Sequence, residues 1–148
     1  MKTLRLLLTL ALLATTGAYA GDAHWYTDYK EAASAAKADH KNILLDFSGS
    51  DWCDVCIRMD KEVLSTTQFQ DFAGKNLILV DLDFPQGKPL PQKTQVQNDD
   101  FQARYAVDGF PTYILTDADG NVLGREVGYV EGGPAAFIAL LNKMAAKK

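Results

Sequence analysis

A single α/β domain, with a mixed central sheet and helices on both of its faces, is the architecture this sequence predicts. Three observations carry that expectation. Two apolar runs, Ile43 to Phe47 and Leu77 to Leu82, read as strands covered on both sides. Helical patterns precede and separate them, and a strand-helix-strand order favours parallel pairing through a right-handed crossover. A turn, a strand, a hairpin turn, a further strand and a helix then complete the chain between Val107 and Met144. With 148 residues, 47% of them hydrophobic and 23% charged, the chain suits one folded domain and excludes a disordered polyampholyte. Its formal charge of −4 leaves no basic surplus to neutralise phosphates, so nucleic acid is not an expected partner.

The first twenty residues read as targeting rather than fold. Lys2 and Arg5 make a positive start, Leu6 to Ala14 is apolar except for Thr9, and Ala18-Tyr19-Ala20 offers small residues where a signal peptidase reads. This pattern predicts a cleavable signal peptide over residues 1–20 and one domain over residues 21–148, in a periplasmic or secreted protein. The apolar run is shorter than the ~20 residues a spanning helix needs, so no stable membrane insertion is expected.

Thr27 or Asp28 can cap a first helix, in which Tyr29, Ala32, Ala33 and Ala36 form one apolar stripe. Asp39 to Asn42 breaks it before the first long strand. From Cys53 to Leu64 the spacing predicts a helix with Cys56, Met59 and Val63 on one face, and Ser65 to Thr67 can start another that carries Phe69 and Phe72. After the second strand, three prolines and a glycine between Phe84 and Pro91 mark a surface loop. A polar helix over about Gln92 to Tyr105 offers Val96, Phe101 and Tyr105 to the core. Val107 to Pro111 turns into the strand Thr112 to Leu115, and Asp117 to Gly120 turns again before Val122 to Val127. Gly132, Gly133 and Pro134 open a last helix with Phe137, Ile138, Leu141 and Met144 inward.

The chemistry rests on Cys53-Asp54-Val55-Cys56, which contains both cysteines of the chain. Two sulfurs three positions apart at a helix start lie within bonding reach, and the free N–H groups there favour a thiolate. Cys53 is read as the exposed nucleophile and Cys56, one turn inward, as the resolving thiol. A static disulfide over so short a loop would add little stability. A structural zinc site needs four ligands, and His24 and His40, the only histidines, are at neither knuckle spacing. Two inert buried thiols would not need to flank a helix start. Asp46, in an apolar run, is either a proton-relay acid with a raised pKa or a strand-end residue reaching water. Trp52 and Phe110 either fill the core or flank the reactive thiol, excluding water and docking apolar substrate. Gly128 is read as permitting close backbone approach, with an ordinary turn as the alternative. The acidic residues Asp51, Asp54, Asp60 and Glu62 are read as a solvated face, with repulsion of acidic partners near the site as the alternative.

Asp46-Phe47, Trp52-Cys53-Asp54-Val55-Cys56, Gly109-Phe110-Pro111-Thr112 and Gly128 resemble the thioredoxin superfamily in order and approximate spacing, over about residues 25 to 146. Gly49 to Cys53, Arg58 to Val63 and Leu82 to Pro85 are similar to exported bacterial thioredoxin-like proteins, among them the C-terminal reductase domain of the membrane thiol transporter DsbD. The resemblance implies a thioredoxin fold, thiol-disulfide exchange and no bound cofactor. It makes Cys53 the attacking and Cys56 the resolving cysteine, Trp52 the aromatic shield, Pro111 a cis-proline beside the site, and Phe110 a backbone partner for an extended substrate. Asp46 resembles the buried acid beneath the dithiol, although seven positions separate it from Cys53, one more than in typical thioredoxins. Asp54-Val55 replaces the usual Gly-Pro, so no redox potential is carried over.

These readings converge on an exported thiol-disulfide oxidoreductase, a reductase or isomerase rather than an oxidase, acting through a mixed disulfide with cysteines of exported proteins. With no second cysteine pair, it needs an electron donor, and the resemblance implies a membrane thiol transporter. A peptide-binding adaptor or chaperone using the groove near Pro111 is the alternative, and a carrier of metal on the two thiolates is a third reading.

Overall fold

The computed structural model describes residues 23–146, so the expected signal peptide lies outside the described residues. Five strands form one mixed sheet, and helices cover both of its faces, as the apolar runs imply. The strands are β1 (Trp25–Tyr26), β2 (Asn42–Ser48), β3 (Leu77–Asp83), β4 (Thr112–Thr116) and β5 (Val122–Val127), in the spatial order β1-β3-β2-β4-β5. β3 pairs in parallel with β1 and β2, whereas β4 runs antiparallel to both β2 and β5. The β2–β3 pairing is the parallel crossover that the strand-helix-strand order predicts.

Around the sheet lie α1 (Tyr29–Asp39), α2 (Asp54–Met59), α3 (Thr67–Asn76), α4 (Gln92–Arg104) and α5 (Gly133–Ala145). Asp28 caps α1, accepting hydrogen bonds from the N–H groups of Lys30 and Glu31, and Thr66 caps α3 through the N–H of Phe69. Side chains alternate across a strand, so each core strand feeds two layers. Ile43, Leu45 and Phe47 of β2 face α1 and α4, where Ala32, Ala36 and Phe101 are buried. Leu44 and Leu79 face the other way, onto Met59, Val63, Phe69 and Phe137. By the same alternation Asp46 and Asp81 belong to the α2 side of the sheet.

Three expectations need correction. The helix expected from Cys53 to Leu64 is α2 followed by a π-helical turn, Asp60–Leu64, in which the N–H of Ser65 donates to the carbonyl of Asp60 at 2.8 Å. Val96 is 53% exposed, and the residue α4 buries in its place is Asn98, whose Nδ2 donates to the carbonyl of Asp83 at 2.9 Å. Gly128 has open space where a β-carbon would sit, so its φ of +86° is what favours glycine, not a close approach. Strand β1 lies outside the elements the sequence predicts.

Candidate active site

Cys53 is the N-cap of α2 and Cys56 ends its first turn, which brings their Cα atoms to 5.2 Å and joins the sulfurs in a disulfide. The N–H of Cys56 donates to Cys53 Sγ at 3.2 Å, so one backbone group that would stabilise a thiolate already points at that sulfur. In this disulfide state Cys53 is only 7% exposed and Cys56 5%, so the expected contrast between an exposed and an inner sulfur is nearly absent. Their positions along the helix still differ: Cys53 precedes the first turn and Cys56 lies within it.

Behind Cys56 opens a cleft of about 390 Å³, whose lining includes Asp46, Asp60 and Asp81 together with Cys56 itself. Asp46 is 7% exposed, and its Oδ1 is buried without a hydrogen-bond partner. Burial, reinforced by the negative charges of Asp81, Asp60 and Asp83, pushes its carboxyl well above the usual carboxylate range. The reading of Asp46 as a strand-end residue reaching water is therefore set aside. The extra residue before Cys53 does not remove Asp46 from the dithiol, because it lies in the same cleft as Cys56.

Asp81, the register partner of Asp46 on β3, stands outside the expected site residues. Burial, followed by the charge of Asp83, raises its carboxyl to about 6. Its signal was present in the sequence: like Asp46, it is an acid inside an apolar strand. Asp83, by contrast, is satisfied, accepting from the backbone N–H and the hydroxyl of Ser50 at 2.8 and 2.7 Å.

Trp52, the residue before Cys53, belongs to an aromatic cluster. Trp52, 40% exposed, donates its indole N–H to the carbonyl of Phe84 at 2.7 Å and meets Phe110 edge to face at 5.7 Å. Phe84 lies 5.2 Å from Phe110, so the three rings form one cluster. Gly49 lies beneath the indole: a β-carbon there would stand 2.7 Å from Trp52 Cζ2. The Phe110–Pro111 bond is cis, and the N–H of Gly128 donates to the carbonyl of Pro111 at 2.8 Å. Asp51 is more than part of a solvated face. It accepts from the N–H groups of Gln86 and Gly87 at 2.9 and 2.7 Å, fastening the proline-rich loop to the segment that carries Trp52 and Cys53. Those bonds hold its carboxyl below the usual carboxylate range. Glu62 is likewise engaged, by Arg58 at 3.1 Å and by the hydroxyl of Tyr129 at 2.5 Å.

Among the described residues, no group of three or more His, Cys, Asp or Glu side chains is placed to hold a metal ion. No helix among them is long and apolar enough to cross a membrane.

Residues 29–145 match the family of thioredoxin-like domains. The disulfide bond reductase DsbH of Chlamydia pneumoniae is 41% identical over 114 residues, covering 77% of this chain and 68% of that protein. A solved structure of a DsbH oxidoreductase superposes with a TM-score of 0.80 at 34% identity, covering 99% of this chain and 96% of the other. The oxidised C-terminal domain of DsbD from Neisseria meningitidis shares the fold at 19% identity, with a TM-score of 0.57 over 78% of this chain and 90% of that domain.

Proposed function

This chain belongs to the thioredoxin-like family and is a thiol-disulfide oxidoreductase with the thioredoxin fold, and from that premise we propose that it works as an exported reductase of protein disulfides. In the reduced protein the Cys53 thiolate attacks one sulfur of a client disulfide, and the other client sulfur leaves and takes a proton. A mixed disulfide joins Cys53 to the client. Cys56 then gives its proton to Asp46 and attacks Cys53 Sγ, forming the intramolecular disulfide and releasing the second client thiolate, which is protonated in turn. Two electrons have passed to the client. A dithiol partner returns them, and a membrane thiol transporter fits that role.

Trp52, Phe110 and Pro111 form the surface along which an extended client segment approaches Cys53. Their aromatic rim supplies apolar contact and keeps water from the mixed disulfide. Residues 1–20 act as the export signal, and residues 21–148 form the mature domain.

One observation carries the reductive direction: the titratable groups that share the cleft with Cys56 are acids. Asp46, Asp60 and Asp81 share the cleft with Cys56, and Asp54 stands in the first turn of α2 beside Cys53. Each of these acids that ionises adds negative charge that disfavours the thiolates and leaves the disulfide comparatively stable, which is the property of a reductant. The name of the Chlamydia pneumoniae relative, a disulfide bond reductase, supports the same direction. Equilibration with glutathione, read by alkylating the free thiols, tests it. The expected potential lies near the about −270 mV of thioredoxin, and a value near the about −120 mV of strongly oxidising periplasmic proteins would overturn the reductase reading.

A further inference from the structure

We propose that Asp81 is a positioning residue for proton transfer at Cys56: paired with Asp46 across β2 and β3, it sets the basicity of that carboxylate and carries its proton out to water through the open cleft. The proposal rests on the reading of Asp46 as the proton acceptor of Cys56.

The geometry supports this in three ways. Asp46 and Asp81 are direct partners in the parallel register, so their side chains leave the same face of the sheet side by side. Both line the cleft that contains Cys56. Asp46 Oδ1 is buried and unpartnered, whereas Asp81 is half-buried and stands closer to solvent. Among the described residues neither acid has an ion-pair partner. An isolated buried carboxylate is costly, and a second one beside it raises the cost of ionising both. The pair is therefore disposed to hold one proton between its members, and their ionisations are coupled.

The surrounding groups agree with that disposition. Asp83 on β3 and Asp60 at the start of the π-helical turn add negative charge to both sites, and Lys88 from the proline-rich loop partly offsets it at Asp81. From β4, Tyr113 is the register partner of Asp46 and keeps its phenol protonated, because burial and the charge of Asp46 raise it. The proton balance is simple. The S–H bond of Cys56 breaks, its proton binds Asp46, and the sulfur electron pair forms the bond to Cys53 as the client sulfur departs. Asp46 then returns to its anionic form by passing the proton to Asp81 and on to water.

Rapid-mixing kinetics of the full chain test the proposal. The reduced protein is mixed with a disulfide-bonded peptide, and the rate of mixed-disulfide resolution is followed from pH 5 to 9, while carbon-13 NMR of the carboxyl groups follows Asp46. For Asp81→Asn, Asp46 should titrate lower by on the order of one pH unit, and the acid limb of the rate profile should move with it. Asp81→Glu should restore the parent profile. A parent-like titration of Asp46 and an unmoved acid limb in Asp81→Asn would overturn the role of Asp81. An unmoved limb in Asp46→Asn would instead remove the underlying reading of Asp46, and the proposal with it.

Discussion

Cys53 holds the N-cap of α2 while Cys56 closes its first turn, so in the reduced protein the free N–H groups of the helix start favour negative charge at Cys53 Sγ. The two thiols should therefore fail differently when removed. Cys56→Ser, mixed with a disulfide-bonded client, is expected to accumulate a covalent adduct visible on a non-reducing gel, on the order of tenfold above Cys53→Ser. Equal adducts from both variants would show that either sulfur initiates exchange. At this scale the legible residues were those whose type is improbable where they stand: two cysteines at a helix start, an acid in an apolar run, a proline directly before a strand. Asp81 meets the same criterion, but the continuous apolar spacing of Leu77 to Leu82 signals core and masks it. Asp51 gave no such signal, since its partners are backbone N–H groups 35 and 36 residues away.

The α2 side of the sheet depends on α5, because Phe137 brings the last helix onto both α3 and β4. Its ring is fully buried and lies 5.8 Å from Phe69 and 4.9 Å from Tyr113. Phe137→Ala should lower unfolding stability by about 3–5 kcal/mol, read as a reduced urea midpoint. The potential of the dithiol should stay unchanged, since the core cluster that holds Phe137 contains neither Cys53 nor Cys56. Helices and long strands were legible because their apolar spacing repeats over several turns or pleats. Two residues, Trp25 and Tyr26, contain too little repetition to declare a strand, and what makes them one is the remote backbone of Leu79 and Val80. The π-helical turn was equally silent, since an apolar stripe reads the same through a widened turn. Asn98 was missed for a third reason: it is buried to satisfy a carbonyl at the end of β3, a demand that hydrophobicity does not register.

Taken across the molecule, buried and exposed acids pull stability in opposite directions as pH changes. Asp81 titrates at about 6 when folded against 3.8 as its ordinary value, so its contribution is full below the lower value and is lost as pH rises through the upper. Asp46 acts in the same sense. Asp28, Asp51, Glu62 and Asp117, held below their ordinary values by hydrogen bonds, contribute at higher pH and lose that contribution as pH falls below about 4. Stability should therefore peak on the acid side of neutrality. Asp81→Asn should become increasingly more stable than the parent between about pH 4 and pH 8, by up to about 3 kcal/mol. Urea unfolding at the two pH values measures it, and a constant difference would show that Asp81 ionises freely in the fold. The spatial order of the strands has a separate consequence for how copies of the protein meet. Without β1, the seven-residue β3 would be an outermost strand, offering Leu77 to Val80 as a template for a neighbouring chain. Two residues of β1 cover Leu79 and Val80 and are themselves too short to recruit another strand, while β5 sets Arg125 and Glu126 along the far margin. Both margins of the sheet are thus blunted against aggregation.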